Sequence, residues 1–320
     1  MARAARGRFA YPLSLGSTAH GDVLPVRRRS CLMSKIHYRT ADVQGLSLFY
    51  REAGAPEAPT ILLLHGFPTS SHMFRDLIPR LADRYHLVAP DYPGFGYSSC
   101  PAVAEFKYTF DHLTGVIEAF TDQLGLDRYL LYLQDFGGPV GFRLAARRPQ
   151  RVRGLLLQNA NAYAAGMTAE IHDWLLALSK DRSPAARAKA VPVFELPYTR
   201  RQYLEGVADP GLVSPDAWEH AQWGMDRPGN KDIQYELHAD YASNFDRYEE
   251  WHAYFRQHQP PTLVMWGAGD FVFGVPGARA YQQDLRNCEL HILEGAAHFA
   301  LETHAAEIAA LIREFLSRRL

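Results

Sequence analysis

An aspartate stands where a buried strand would pass directly into a helix. The apolar run YLLYLQ at 129–134 is followed by Asp135, and Gly137 and Gly138 come next. Glycines there permit a tight strand-turn-helix in which the central side chain points up from the sheet. The serine form of this turn, G-x-S-x-G, does not occur in the chain. Asp135 could therefore be a nucleophile itself, or it could only cap the following helix.

An acid and a base follow in an order that favours the catalytic interpretation. Asp270 comes after the apolar run TLVMW, in WGAGD, and His298 comes after CELHIL, in EGAAHF. In open α/β sheets, active sites lie beyond the carboxyl ends of the strands. Asp135, Asp270 and His298 thus reproduce the chain order nucleophile, acid, histidine. We predict that they form a catalytic triad and that His65 has a structural role.

Backbone N–H groups near Asp135 could stabilise an oxyanion. The run TILLL at 60–64 ends in His65-Gly66-Phe67. In this architecture the turn after that strand supplies one N–H group, and the residue after the nucleophile supplies the other. We therefore predict that Phe67 and Phe136 form the oxyanion hole.

The elements that would position these residues alternate between strands and helices. This rhythm is typical of βαβ crossovers and a buried parallel sheet, so we predict an α/β fold with helices on both faces. Helical spacing is present at 73–83, at 110–124, from Gly138 and from about residue 304. The predicted strands are 36–40, 46–52, 60–64, 85–90, 129–134, 152–158, 262–266 and 288–293.

The alternation stops between residues 160 and 255. That stretch has helical patterns, no convincing buried strand and four of the five tryptophans. We therefore predict a core of residues 35–159 and 256–320, interrupted by a helical cap, or lid, of residues 160–255. We expect this lid to cover Asp135 and to create a mostly apolar pocket.

Composition excludes several classes of protein. Hydrophobic residues make up 47% of the chain and charged residues 22%, which is ordinary globular composition. Because 34 basic residues balance 35 acidic ones, nothing indicates binding to nucleic acid. Three cysteines cannot build a disulfide framework, and no apolar run is long enough to span a bilayer. We expect a cytoplasmic protein that does not bind membranes. The sequence does not indicate an oligomeric state.

The first 34 residues are expected to lie outside the fold. They are rich in arginine, and Asp22 is their one acidic residue. We interpret them as a disordered tail or an over-extended translation start; an organellar transit peptide is the alternative.

Four segments together resemble a known superfamily: HGFPTSSHMFRDLIPRLADRYHLVAPDYPGFGYSS, LQDFGGPVGFRLA, WGAGD and GAAHF. They are similar to the α/β-hydrolases, in the aspartate-nucleophile branch that contains epoxide hydrolases and haloalkane dehalogenases. The resemblance covers about residues 36–318 and implies an eight-stranded, mostly parallel sheet. It also implies that Asp135 forms an alkyl ester, which water activated by His298 and Asp270 hydrolyses. No cofactor or metal is expected.

Two reactions compete within this branch. Dehalogenases hold the departing halide with a Trp directly after the nucleophile and with a second donor, an Asn in the H-G-N-P loop or a cap Trp. Here Phe136 and Phe67 occupy the two loop positions, although Gln134 before the nucleophile is more common in dehalogenases. One donor could still come from the cap: Trp174, Trp218 or Trp223. The sequence therefore favours epoxide hydrolysis, with haloalkane dehalogenation as the alternative.

Epoxide hydrolases of this family donate to the ring oxygen from two cap tyrosines. Tyr241 in DYASN resembles the second of them, although the family usually has Arg where this chain has Ala242. Tyr198 is our candidate for the first, with Tyr163 and Tyr203 as alternatives. We expect Phe67, Phe136 and Trp174 to line a pocket for a small apolar substrate. A non-catalytic ligand-binding protein of this fold is a further alternative, which the intact triad disfavours.

Overall fold

The computed structural model describes residues 35–319, so the predictions for residues 1–34 lie outside the described residues. Its centre is an eight-stranded sheet with the order β1-β2-β4-β3-β5-β6-β7-β8. Strand β2 is antiparallel to both β1 and β4, and the other neighbours run parallel. The strands are His37–Val43 (β1), Leu46–Ala53 (β2), Thr60–Leu64 (β3), His86–Pro90 (β4), Tyr129–Gln134 (β5), Val152–Gln158 (β6), Thr262–Gly267 (β7) and Cys288–Leu293 (β8).

The predicted eight-stranded, mostly parallel sheet is confirmed. Strands β3, β5, β6 and β8 have the predicted bounds, and the others differ by one to three residues at an end. The central strands are apolar on both faces because helices cover both sides of the sheet. All six residues of β5 are buried, for example.

The α-helices lie either against the faces of this sheet or in the stretch between β6 and β7. They are Ile78–Leu81 (α1), Phe110–Gln123 (α2), Gly137–Arg147 (α3), Ala169–Lys180 (α4), Pro184–Ala190 (α5), Leu196–Leu204 (α6), Pro215–Met225 (α7), Asn230–Asp240 (α8), Tyr248–His258 (α9), Val275–Asp284 (α10) and Leu301–Ser317 (α11). Short 3-10 turns connect several of them, including Tyr241–Arg247. No helix among residues 35–319 is long and apolar enough to cross a membrane.

One predicted helix is wrong. Helical spacing at 73–83 predicts a continuous helix, but the chain forms a 3-10 turn, Ser71–Phe74, and the single helical turn α1. Pro79 lies in the first turn of α1 and has no N–H group to donate to the carbonyl of Arg75. The proline therefore interrupts the helix, even though Phe74 and Leu77 are still buried as the pattern indicates.

Helices α4–α9 lie between β6 and β7. We call residues 160–255 the helical insertion; it contains these helices except for the last three residues of α9. Its last helix packs directly on the first helix after Asp135: the Trp251 ring lies 5.3 Å from the Phe142 ring. Close by, the Arg143 guanidinium donates to Asn244 Oδ1 over 2.6 Å. These buried contacts join the insertion to helix α3.

We predict that Gly137→Ala destabilises the protein. A Cβ at Gly137 would lie 2.1 Å from the carbonyl oxygen of Leu64, so strand β3 would have to move. Overpacking of this kind costs about 1–3 kcal/mol. In contrast, a Cβ at Gly115, inside helix α2, meets no atom within 4 Å. Gly115→Ala should therefore stabilise the protein by about 0.5–1 kcal/mol. Urea unfolding measures both changes, and equal free energies of unfolding for the two variants would contradict this packing.

Candidate active site

Asp135 lies in a tight turn between β5 and α3. Its φ is +48°, in the left-handed region that residues other than glycine seldom adopt. The backbone N–H of Asp135 donates to the carbonyl of Asn159 at the end of β6 (3.1 Å), and that of Gly138 donates to the carbonyl of Asp135 (2.8 Å). A Cβ at Gly66 would lie 2.3 Å from the Asp135 side chain. The turn therefore presses the carboxylate against the loop that follows β3.

Backbone N–H groups hold this carboxylate. The N–H of Phe67 donates to Asp135 Oδ1 over 2.6 Å. The N–H of Phe136 also bonds the carboxylate and, like that of Phe67, lowers the pKa of Asp135. The two residues proposed for the oxyanion hole thus point their N–H groups at Asp135. Any negative charge on Oδ1 would be stabilised there.

His298 connects the other two residues of the predicted triad. Its Nδ1 lies 2.9 Å from Asp270 Oδ2, and its Nε2 lies 3.9 Å from Asp135 Oδ2. A carboxylate only accepts hydrogen bonds, so Nδ1 carries the hydrogen, and in the neutral ring Nε2 has a free lone pair. The ring is fully buried. This arrangement lets Nε2 act as a base close to the Asp135 carboxyl carbon.

Asn159 has a role that the sequence analysis missed. Its side-chain Nδ2 donates to Asp270 Oδ2 over 2.7 Å, and its Oδ1 accepts from the N–H of Gly267 over 3.0 Å. Since the Asn159 carbonyl also accepts from Asp135, one residue links the nucleophile to the acid. Its position directly after a buried strand was the available signal. The opposite oxygen of Asp270 accepts from the N–H groups of Val272 (2.7 Å) and Phe273 (3.0 Å).

Burial and charge shift the protonation of the site. Burial raises the pKa of Asp135 to about 6, although His298 and the two N–H groups oppose it. Burial disfavours protonated His298, but the Asp270 carboxylate outweighs this effect and raises the pKa of His298. Gln134 also faces this ring, with its Nε2 3.3 Å from His298 Nε2. An amide can donate to that lone pair until a water molecule replaces it.

A cavity opens onto Asp135. Residues predicted for the pocket line it, namely Phe67, Phe136, Trp174, Tyr198 and Tyr241, and so do His238 and Gln202, which the sequence analysis missed. Nothing in the sequence distinguishes His238 or Gln202 from other polar residues of amphipathic helices. The helical insertion supplies most of the wall opposite Asp135.

The two favoured cap tyrosines lie in different elements of the helical insertion. Tyr198 lies on α6, and Tyr241 begins the 3-10 turn after α8. No hydrogen bond joins either hydroxyl to a residue within 35–319. Burial raises the pKa of both phenols, and the Asp135 charge raises them further. Both groups are therefore neutral donors at pH 7.

The alternative residues lie outside this cavity. The Tyr163 hydroxyl donates to Asp284 over 2.8 Å, and the Tyr203 ring stacks on Phe299 at 4.1 Å. Trp218 and Trp223 also do not line the cavity. His65 lies in the β3 loop, where its Nδ1 is 3.0 Å from the carbonyl of Gly66, so its contacts are those of a structural residue.

Comparisons with known proteins agree with this architecture. A family model described as the α/β hydrolase fold matches residues 59–305. An uncharacterized hydrolase of Saccharomyces cerevisiae is 41% identical over 283 residues, which are 87% of this chain and 97% of that protein. A haloalkane dehalogenase of Bradyrhizobium diazoefficiens is 30% identical over 301 residues, 88% of this chain and 95% of its own.

A solved structure shows the same fold. The crystal structure of the protein DbjA superimposes with a TM-score of 0.73 at 27% identity and covers 89% of this chain and 98% of its own. The sheet order, the strand-to-helix turn at Asp135 and these matches lead to one assignment. The chain is a hydrolase that belongs to the α/β-hydrolase family, in its dehalogenase-like branch.

Proposed function

We propose that this protein hydrolyses epoxides to vicinal diols through an ester on Asp135. The observation that carries the proposal is the pair of free phenols, Tyr198 and Tyr241, in the same cavity as the carboxylate. An epoxide oxygen needs a hydrogen-bond or proton donor when its C–O bond breaks. Two neutral phenols opposite a nucleophile supply that need.

In the first step Asp135 Oδ2 attacks an epoxide carbon. The C–O bond of the ring breaks, an alkyl ester forms, and the ring oxygen takes a proton from Tyr198 or Tyr241. Oδ1 stays in its hydrogen bond with the Phe67 N–H group and becomes the ester carbonyl oxygen. Burial of Asp135 leaves its carboxylate poorly solvated, which makes it a stronger nucleophile.

In the second step water hydrolyses this ester. A water molecule gives a proton to His298 Nε2 and attacks the carboxyl carbon of Asp135. The 3.9 Å between Nε2 and Oδ2 is too long for a direct hydrogen bond and leaves the lone pair available to water. The oxyanion on Oδ1 is stabilised by the two N–H groups. The bond between the carboxyl carbon and the substrate oxygen then breaks, and His298 Nε2 returns its proton to that oxygen as the diol leaves. The proton lost by the new carboxyl group of Asp135 restores the phenol.

Haloalkane dehalogenation is the second candidate, because a full-length relative has that activity in its name. Trp174 lines the cavity and could donate its indole N–H to a halide. A buried anion, however, needs several converging donors. The side chains of Phe67 and Phe136 provide none, and their N–H groups already bond Asp135. Since the triad is complete, we give the non-catalytic alternative no further weight.

The phenols provide the test of the reaction type. The purified protein should convert styrene oxide to its diol and release little bromide from 1-bromobutane or 1,2-dibromoethane. Tyr241→Phe and Tyr198→Phe should each lower kcat for diol formation by about 100-fold, the lower range for general acid catalysis. Tyr163→Phe is the matched control, because its hydroxyl is bonded to Asp284 outside the cavity. Bromide release without diol formation would refute the proposal and support dehalogenation.

The buried nucleophile predicts a pH dependence. Asp135 must be ionised to attack, and burial raises its pKa to about 6. The rate constant for ester formation should therefore fall below pH 6, approaching tenfold per pH unit. His298→Gln removes a positive charge that lowers the pKa of Asp135, so this acid limb should move to higher pH. Rapid-quench measurement of styrene oxide consumption, corrected for acid hydrolysis, tests both. A rate constant unchanged down to pH 4 would contradict the assignment.

A further inference from the structure

His238 is a polar residue of the cavity that has no part in the chemistry described above. His238 lies on α8 and lines the cavity together with Asp135. We propose that His238 accepts a hydrogen bond from a substrate hydroxyl and so selects epoxides that carry an alcohol group next to the reacting ring. The choice of epoxides rests on the proposed function, whereas the acceptor role of His238 does not.

Hydrogen bonding fixes the tautomer of His238. Its Nδ1 lies 2.8 Å from the carbonyl oxygen of Gln234, one helical turn earlier. A carbonyl oxygen can only accept, so Nδ1 carries the hydrogen. A neutral imidazole has a single N–H group, which leaves Nε2 as an acceptor. Burial lowers the pKa of His238 to about 4, so the ring stays neutral at pH 7.

Aromatic rings surround His238 and do not donate a hydrogen bond to Nε2. The four rings closest to it belong to Phe67 (4.5 Å between centroids), Phe194 (5.2 Å), Phe136 (5.3 Å) and Trp174 (5.7 Å). No hydrogen bond joins Nε2 to any residue within 35–319. An unpaired acceptor in an apolar environment costs free energy unless a ligand or water donates to it. The cavity is the space from which that donor can come.

The position of the ring sets where the donor must lie on the substrate. Phe67 and Phe136 are the residues whose N–H groups bond Asp135, and the His238 ring packs against both side chains. A substrate group bonded to Nε2 would thus lie beside the side chains of the two residues that flank the Asp135 carboxylate. This favours a hydroxyl on a carbon adjacent to the epoxide, as in a 2,3-epoxy alcohol.

A second acceptor in the same cavity supports this substrate class. Gln202 lies on α6 one turn after Tyr198, is 4% exposed, and its Oε1 is buried without a hydrogen-bond partner among the described residues. Tyr198 and Tyr241 can serve the epoxide oxygen as donors. The unused acceptors of His238 and Gln202 instead favour a ligand that donates a hydrogen bond, which a purely apolar substrate cannot do.

Three substrates that differ only in the group on the carbon next to the epoxide test the proposal. They are 2,3-epoxyhexan-1-ol, 3,4-epoxyheptane, in which a methyl replaces the hydroxyl, and the methyl ether of the alcohol, which can accept but cannot donate. The protein should have a kcat/KM at least about tenfold higher for the alcohol than for the other two. Equal values of kcat/KM for the epoxy alcohol and for the epoxide that lacks the hydroxyl would overturn the proposal.

Variants assign the preference to the ring nitrogen. His238→Phe should bring the ratio of kcat/KM for the epoxy alcohol to that for the unsubstituted epoxide close to one. His238→Gln, which keeps an acceptor, should restore part of the preference for the alcohol. His112→Phe is the control, because His112 Nδ1 also bonds a backbone carbonyl, that of Lys107 at 2.9 Å, but the residue is exposed outside the cavity. Its ratio should equal that of the unmodified protein. A ratio that survives in His238→Phe would assign the preference elsewhere and refute the role of His238.

A binding measurement separates this inference from the proposed reaction. In protein labelled with ¹⁵N-histidine, the resonances missing from His238→Phe identify His238. At pH 7 its Nε2 should be unprotonated, and 1-hexanol should shift it toward the value of a hydrogen-bonded nitrogen, whereas 1-methoxyhexane should not. If no epoxide gives a diol, the proposed reaction fails, and this shift still decides the role of His238. A protonated Nε2, or no response to 1-hexanol, would overturn it.

Discussion

The site depends on the hydrogen bond between the Phe67 N–H and the Asp135 carboxylate. At 2.6 Å it joins the turn after β3 to the turn after β5, and it needs Asp135 in the left-handed backbone conformation. Such a conformation in a residue other than glycine costs about 1–3 kcal/mol and persists only where its surroundings enforce it. Here Gly66 leaves the space for the carboxylate, and the carbonyl of Asn159 holds the Asp135 N–H. The cost is compensated by a nucleophile that cannot rotate away from its oxyanion donors.

Two buried carboxylates on either side of one imidazole create the second constraint. Each charge would be unfavourable alone, because burial disfavours the ionised form. Asp270 is stabilised by three N–H donors, from Asn159, Val272 and Phe273. It therefore orients the His298 ring and stabilises the protonated form of that ring. Asp135 has fewer compensating partners, and its pKa rises to about 6. This difference separates the orienting acid from the reacting one.

The sequence predicts the frame of the molecule better than its pocket. Strands β3 and β5 are almost continuous apolar runs, and each is followed within three residues by a glycine, Gly66 or Gly137, so their limits follow from local pattern alone. Because parallel strands end at one edge, the residues placed after them converge there. The helix predicted at 73–83 fails because one proline outweighs the hydrophobic spacing. His238 was not predicted, since its function depends on which face of α8 meets the aromatic rings of other elements.

The proposed reaction passes through a covalent ester on Asp135, and one isotope experiment tests that ester directly. A single turnover of styrene oxide by excess protein in H₂¹⁸O should place ¹⁸O in the peptide that contains Asp135, because water attacks the carboxyl carbon and not the substrate. The diol should then contain ¹⁶O derived from the Asp135 carboxylate. Label found only in the diol, with an unlabelled Asp135 peptide, would show direct attack of water on the epoxide and contradict the covalent ester on Asp135.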